Sequence, residues 1–290
     1  MNVVLQSLLL GVLAALGWGV ADFVAAVVSK RLGILRTIVG VHLVSIPVAA
    51  VYFFAVSDIS KVSLTHWAVL LLISAVSFIV YIVFYKALQV GPVAVVSPIV
   101  SAYAVVVIVL AFIFTGERLS VMQGVAVSAS VGGIVLASVS LRSGMRLREV
   151  VGFGALLGFV AMVGIGVWQF GVGILSRDIG WFLPIFLGRV ITFGMFVPLV
   201  AVRREWPWQR LSAPLLVGVV VVGITETGGL FAFARGAEIG VISIVAAASI
   251  TYPIIPILGG LIVFKEELGF TQYVGLAVAL AALLVLALSS

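Results

Sequence analysis

Apolar runs of twenty or more residues, broken only by short islands of charge, dominate this chain and leave it few folds to adopt. At ~1.5 Å of helical rise per residue, each run is long enough to cross a ~30 Å hydrocarbon layer. The runs are continuous rather than alternating in ten-residue segments, so they read as helices and not as the strands of a barrel. Only 9% of the 290 residues are charged, against about a quarter in soluble domains, and no stretch reads as a soluble domain. Ten spans follow, at roughly 3–29, 33–56, 66–88, 92–115, 120–141, 150–174, 180–202, 212–234, 241–264 and 269–289. The apolar N-terminal stretch lacks a basic leader and runs on past Val28, so it reads as a retained first helix.

The island LRSGMRLRE (141–149) divides the spans into two sets of five, giving an N-terminal unit over 1–141 and a C-terminal unit over 150–290. Sliding the chain on itself by 149 residues aligns 87–140 with 236–289 without a gap and pairs Tyr103 with Tyr252, Glu117 with Glu266 and Gln123 with Gln272. Five crossings per copy is an odd number, so a second copy must be inverted in the membrane. That is the plan of carriers with a shared site at mid-depth and two nearly equivalent states. Pro92 and Pro98 in the fourth span, and Pro253 and Pro256 in the ninth, remove backbone donors and mark each span as kinked, whether or not the kink lines a cavity.

The two sets of five helices, the GERL (116–119) and KEELG (265–269) turns, and ALQVGPVAVVSPI (87–99) beside GAEIGVISIVAAAS (236–249) resemble the ten-helix EamA-type members of the drug/metabolite transporter superfamily. The resemblance implies an all-α membrane protein of ten transmembrane helices in two inverted five-helix repeats. It further implies a central cavity lined mainly by spans 1, 3, 4, 6, 8 and 9, with spans 5 and 10 at the periphery. Members carry amino acids, other small metabolites, nucleotide-linked sugars or cationic drugs.

Ionisable groups at membrane depth are costly unless they face a cavity or a partner. Glu226 lies nine residues before Arg235, ~13 Å along its helix, and Asp22 eight before Lys30, ~12 Å. The first and eighth spans run in opposite senses, so both acids fall near the midplane. Arg189 lies inside the seventh span. Either acid could exchange a proton or hold a cation in a cavity, or could form a structural ion pair with Arg189. Trp18, one turn before Asp22, together with Trp168, Tyr103 and Tyr252, could form an aromatic cage for an organic ammonium, or could pack against lipid.

No cysteine is present, and His42 and His66 fall in no metal-binding spacing, so neither a metal nor another cofactor is expected. The net charge of +6 reads as loop bias rather than nucleic-acid binding. Odd-numbered connections carry eleven Lys and Arg and even-numbered ones four, which would place both termini outside a cell membrane; the resemblance implies cytoplasmic termini. A compartment-specific reporter fused after Ser290 distinguishes these. The chain thus reads as a secondary carrier, a monomer or homodimer in the bilayer, exporting a small amino-acid-like or amphipathic metabolite against protons. Export of cationic drugs is the alternative, and an intramembrane enzyme using Asp22 and Glu226 a distant one, for want of any GxSxG or HExxH motif.

Overall fold

The computed structural model describes residues 3–56, 59–115, 120–138, 152–209, 211–239, 249 and 251–288. Glu117, the Arg142, Arg146 and Arg148 island at the division between the two units, and the stretch 240–248 lie outside the described residues. The helices are α1 (Val3–Leu32), α2 (Ile34–Val56), α3 (Leu64–Val90), α4 (Val93–Ser101), α5 (Tyr103–Thr115), α6 (Val121–Ser138), α7 (Phe153–Ile179), α8 (Phe182–Arg203), α9 (Ala213–Ile239), α10 (Ile254–Ile262) and α11 (Phe270–Leu288). Six of them, α1 to α3 and α7 to α9, contain segments long and apolar enough to span a membrane, and shorter apolar helices accompany them. Leucine, isoleucine and phenylalanine side chains such as Leu13, Phe54, Leu72, Ile79 and Phe114 face outward, as the hydrocarbon around a multi-pass protein requires.

Several helices run past the charged residues that bounded the expected spans. Lys30 and Arg31 lie in the last turn of α1, Arg177 in that of α7, and Arg235 inside α9. Long cationic stems can follow the helix surface while their heads reach water, so a charge does not end a helix. Glycines do: α1 gives way to Gly33 (φ +92°) and α7 to Gly180 (φ +81°). At the start of α3, Ser63 and His66 form a reciprocal cap. The Ser63 hydroxyl accepts from the His66 amide at 3.3 Å, and His66 Nδ1 accepts from the Ser63 amide at 3.2 Å, which gives His66 a structural task.

The fourth span is two helices. Pro92 occupies the cap of α4, Pro98 lies within it, and the chain breaks at Ala102 before α5 begins at Tyr103. In the ninth span a turn over 251–253 precedes α10. Tyr103 and Tyr252, 149 residues apart, therefore stand at the two breaks.

The most extensive helix contacts are α1 with α9, α6 with α11, and α3 with α7. Small residues make the first two possible, as is usual where lipid supplies no hydrophobic drive for helix association. A Cβ on Gly17 would lie 2.5 Å from the Thr225 carbonyl oxygen and 2.9 Å from Gly229 Cα, and one on Gly133 would lie 2.5 Å from the Ala279 amide. The first of these close approaches brings the segment carrying Asp22 against the segment carrying Glu226.

One end of the bundle is tied by polar contacts between early and late parts of the chain. Glu266 accepts hydrogen bonds from the amides of Val93 (2.8 Å) and Ala94 (3.0 Å), filling the N-terminus of α4. Lys30 sits 4.1 Å above the Phe264 ring, Arg36 pairs with Glu205 at 3.6 Å, and Gln89 donates to the Ser29 carbonyl. Beneath them, Ala25, Leu32, Tyr85, Leu88, Val96, Phe196 and Val222 belong to one buried cluster.

Candidate functional site

Midway along the bundle, a cavity of about 170 Å³ is enclosed by α1, α3, α4, α5, α7, α8, α9 and the turn before α10. All seven residues singled out from the sequence line it: Trp18, Asp22, Tyr103, Trp168, Arg189, Glu226 and Tyr252. The seventh span contributes as well, through Ile185, Gly188 and Arg189, whereas among the described residues neither α6 nor α11 reaches the cavity. The cavity is small beside the ~300–1,000 Å³ typical of pockets for drug-sized ligands.

The two acids have different surroundings. Arg189 Nη2 donates to Glu226 Oε1 at 3.0 Å, and the Tyr81 hydroxyl donates to the same oxygen at 2.8 Å. Arg189 Nη1 also reaches Thr227 Oγ1 at 3.4 Å. The ion-pair reading of Arg189 therefore holds for Glu226, and the pair lies in the cavity wall rather than apart from it. Buried pairs of this kind need additional hydrogen bonds to offset the cost of desolvating both charges, and Tyr81 and Thr227 supply them.

Among the described residues no arginine pairs with Asp22. Its Oδ2 is buried without a hydrogen-bond partner. The Ser97 hydroxyl on α4 interacts with the Asp22 carboxylate, although Ser97 is fully buried and its Oγ makes no hydrogen bond of good geometry. Trp18, one turn earlier on α1, meets Tyr252 edge to face with ring centres 6.1 Å apart. Trp18, Tyr252 and Tyr103 thus share the cavity with Asp22, while Trp168 enters from α7 beside Gln169.

Three residues escaped the sequence reading. Tyr81 and Phe84 line the cavity from α3. His42 stands directly behind Tyr81, with ring centres 5.0 Å apart; it is fully buried, its Nδ1 contacts the Ile38 carbonyl oxygen at 2.8 Å, and its Nε2 has no partner. A signal existed for two of them. Tyr81 carries a hydroxyl into the middle of an apolar span, where a buried phenol needs an acceptor, and His42 is a titratable ring at membrane depth.

A multi-pass helical membrane protein enclosing a charged, aromatic cavity at mid-bundle is the class that fold and site define. Residues 5–139, a little under half of the chain, match the model of the EamA-like transporter family. One solved structure, described only as the crystal structure of a protein, superposes with a TM-score of 0.66 over 96% of this chain and 95% of its own, at 15% identity. It extends the likeness in fold to both halves. No curated protein matches in sequence.

Proposed function

We propose that the chain is a secondary active carrier that moves a small amphipathic metabolite out of the cell by alternating access, in exchange for protons. The observation that carries this reading is the cavity itself. It lies at mid-bundle, is walled by helices from both halves, and holds two acids, one arginine and six aromatic side chains among mostly apolar neighbours. In this reading the 1–141 and 150–290 units are inverted repeats. Two observations support it: the repeat-related Tyr103 and Tyr252 both stand at helix breaks, and the contact of span 1 with span 8 has its counterpart in the contact of span 3 with span 6.

Alternating access needs one end closed while the other admits cargo. The tied end supplies contacts of the right kind for closure, since the Arg36–Glu205, Lys30–Phe264 and Glu266–α4 contacts all join the first unit to the second. None is covalent or deeply buried, so a rocking motion can trade them for a matching set at the opposite end.

Asp22 is the group proposed to exchange protons. One carboxylate can hold a proton or a cargo's positive centre, but not both at full strength, so loading one releases the other. Glu226, engaged by Arg189 and Tyr81, holds the cavity's shape. The test is counterflow in proteoliposomes across a panel of labelled amines, amino acids and other small metabolites, with and without an imposed pH gradient. The reading expects at least one compound to exchange faster than in protein-free vesicles, and to accumulate against its gradient when a pH gradient is imposed. No exchange by any compound would contradict it.

A further inference from the structure

The charge on the cargo follows from how the cavity's charges are already paired. Among the described residues, Asp22, Arg189 and Glu226 are the charged side chains that line it, two anions against one cation. The cation is taken. Arg189 spends one guanidinium nitrogen on Glu226 at 3.0 Å and another on Thr227 at 3.4 Å, and its side chain is only 6% exposed. A carboxylate on the cargo would have to displace Glu226 from Arg189 and leave that acid uncompensated in a buried wall, a costly exchange. Glu226 Oε2 also makes no hydrogen bond, but its charge is matched through its other oxygen. Among the described residues Asp22 is matched by no cation, and its buried Oδ2 has no donor. Trp18, Tyr103 and Tyr252 line the same cavity, and aromatic faces attract an organic ammonium.

We infer that the cargo is a small organic monocation, an amine or ammonium compound without a carboxylate, whose positive centre sits at Asp22 while its apolar body lies among Trp18, Tyr252, Phe84 and Ile165. This assignment deepens the carrier reading and rests on it for the word cargo. The cavity volume of about 170 Å³ restricts the compound to one ring or a short chain, which sets it apart from bulky multi-ring drugs. Zwitterionic amino acids, equally small, are excluded by charge and not by size.

The experiment uses three molecules of nearly equal shape: phenethylammonium (a cation), phenylalanine (a zwitterion) and 2-phenylethanol (neutral). Binding of tritiated phenethylammonium to the purified full chain is measured by scintillation proximity, with the other two as competitors. The expected result is that the cation binds at least tenfold more tightly than either competitor. Asp22→Asn should reduce cation binding at least tenfold, and direct binding of tritiated phenylethanol should stay within about twofold of wild type. Glu226→Gln should move the balance the other way, because it frees Arg189 for a carboxylate and phenylalanine gains several-fold relative to the cation. Phenylalanine binding as well as phenethylammonium in the wild type, undiminished cation binding in Asp22→Asn, or no cation binding at all would each overturn the assignment. Counterflow of the same compounds separates the two ideas. Asp22-dependent cation binding without counterflow refutes the carrier and leaves the charge assignment standing; counterflow of the zwitterion alone does the reverse.

Discussion

Asp22 on α1 and Glu226 on α9 belong to helices that touch backbone to backbone at Gly17 and Gly229, and both line the same cavity, yet the structure equips them differently. Glu226 receives a guanidinium and a phenol on one oxygen. Asp22 has the Ser97 hydroxyl for a polar neighbour and one buried oxygen with no partner. The difference teaches that depth in the membrane does not by itself make an acid a working group. A carboxylate whose charge is already matched supports the wall, and one left unmatched is available to a proton or a ligand.

The largest expected effect comes from making the two acids alike. Arg189→Ala would leave Glu226 as a second uncompensated acid and remove the Thr227 contact, and breaking a buried pair in this way costs about 3–5 kcal/mol. A fall in the thermal midpoint of the detergent-purified protein would register it, and the double variant Arg189→Met/Glu226→Gln should recover much of the loss. If the single and double variants are equally unstable, the pair does not hold the wall together. Next in size is Gly229→Val, whose branched side chain would collide with Trp18 and force α1 from α9, separating the two acids. Transport should be lost while the protein still inserts; cross-linking yields between cysteines introduced at either end of α1 and α9 measure the separation, and unchanged yields would contradict the prediction.

Asp22→Asn sharpens the contrast from the other side. It removes a charge that nothing matches, so thermal stability should not fall by more than about 1 kcal/mol, and the deficit should appear in ligand and proton binding instead. A large loss of stability here would mean that Asp22 has a structural partner after all. Tyr81→Phe should cost about 1.5–3 kcal/mol for one hydrogen bond to a charged acceptor, less than Arg189→Ala because Arg189 still holds Glu226. The smallest effect belongs to Arg36→Gln at the tied end. The pair is only partly exposed, and with a 3.6 Å separation it should contribute little more than the ~0–1 kcal/mol of a surface pair, so stability should scarcely change while the rate of exchange between the two access states shifts. Single-molecule distance measurements across that end can read the shift, and identical rates would remove Arg36 from any part in closure.

Much of this architecture was legible in the sequence, for physical reasons that also explain the omissions. Apolar length set the spans, and the cost of a membrane-depth charge pointed to Asp22, Glu226 and Arg189. Helix periodicity placed Trp18 one turn from Asp22, and the 149-residue offset joined Tyr103 to Tyr252. What composition could not supply was pairing. Arg189 could have balanced either acid, and only the packing of α8 against α2 and α3, with Thr192 and Ser74 in contact between α8 and α3, aims it at Glu226. Tyr81 went unnoticed because tyrosine is common at membrane interfaces, although the expected third span already enclosed it; what the sequence did not carry was its contact with Glu226 on α9. Glu266 had been paired with Glu117 as a mark of duplication. Its work as a cap on α4 is a contact made 173 residues away from Val93, and no local pattern announces it.

The central claim is most directly tested by proton release in proteoliposomes holding a pH-sensitive dye, when an organic monocation is added to the wild type, Asp22→Asn and Glu226→Gln. The account predicts a proton signal from the wild type, a reduced but measurable one from Glu226→Gln, and none from Asp22→Asn. A full wild-type signal in Asp22→Asn would contradict it.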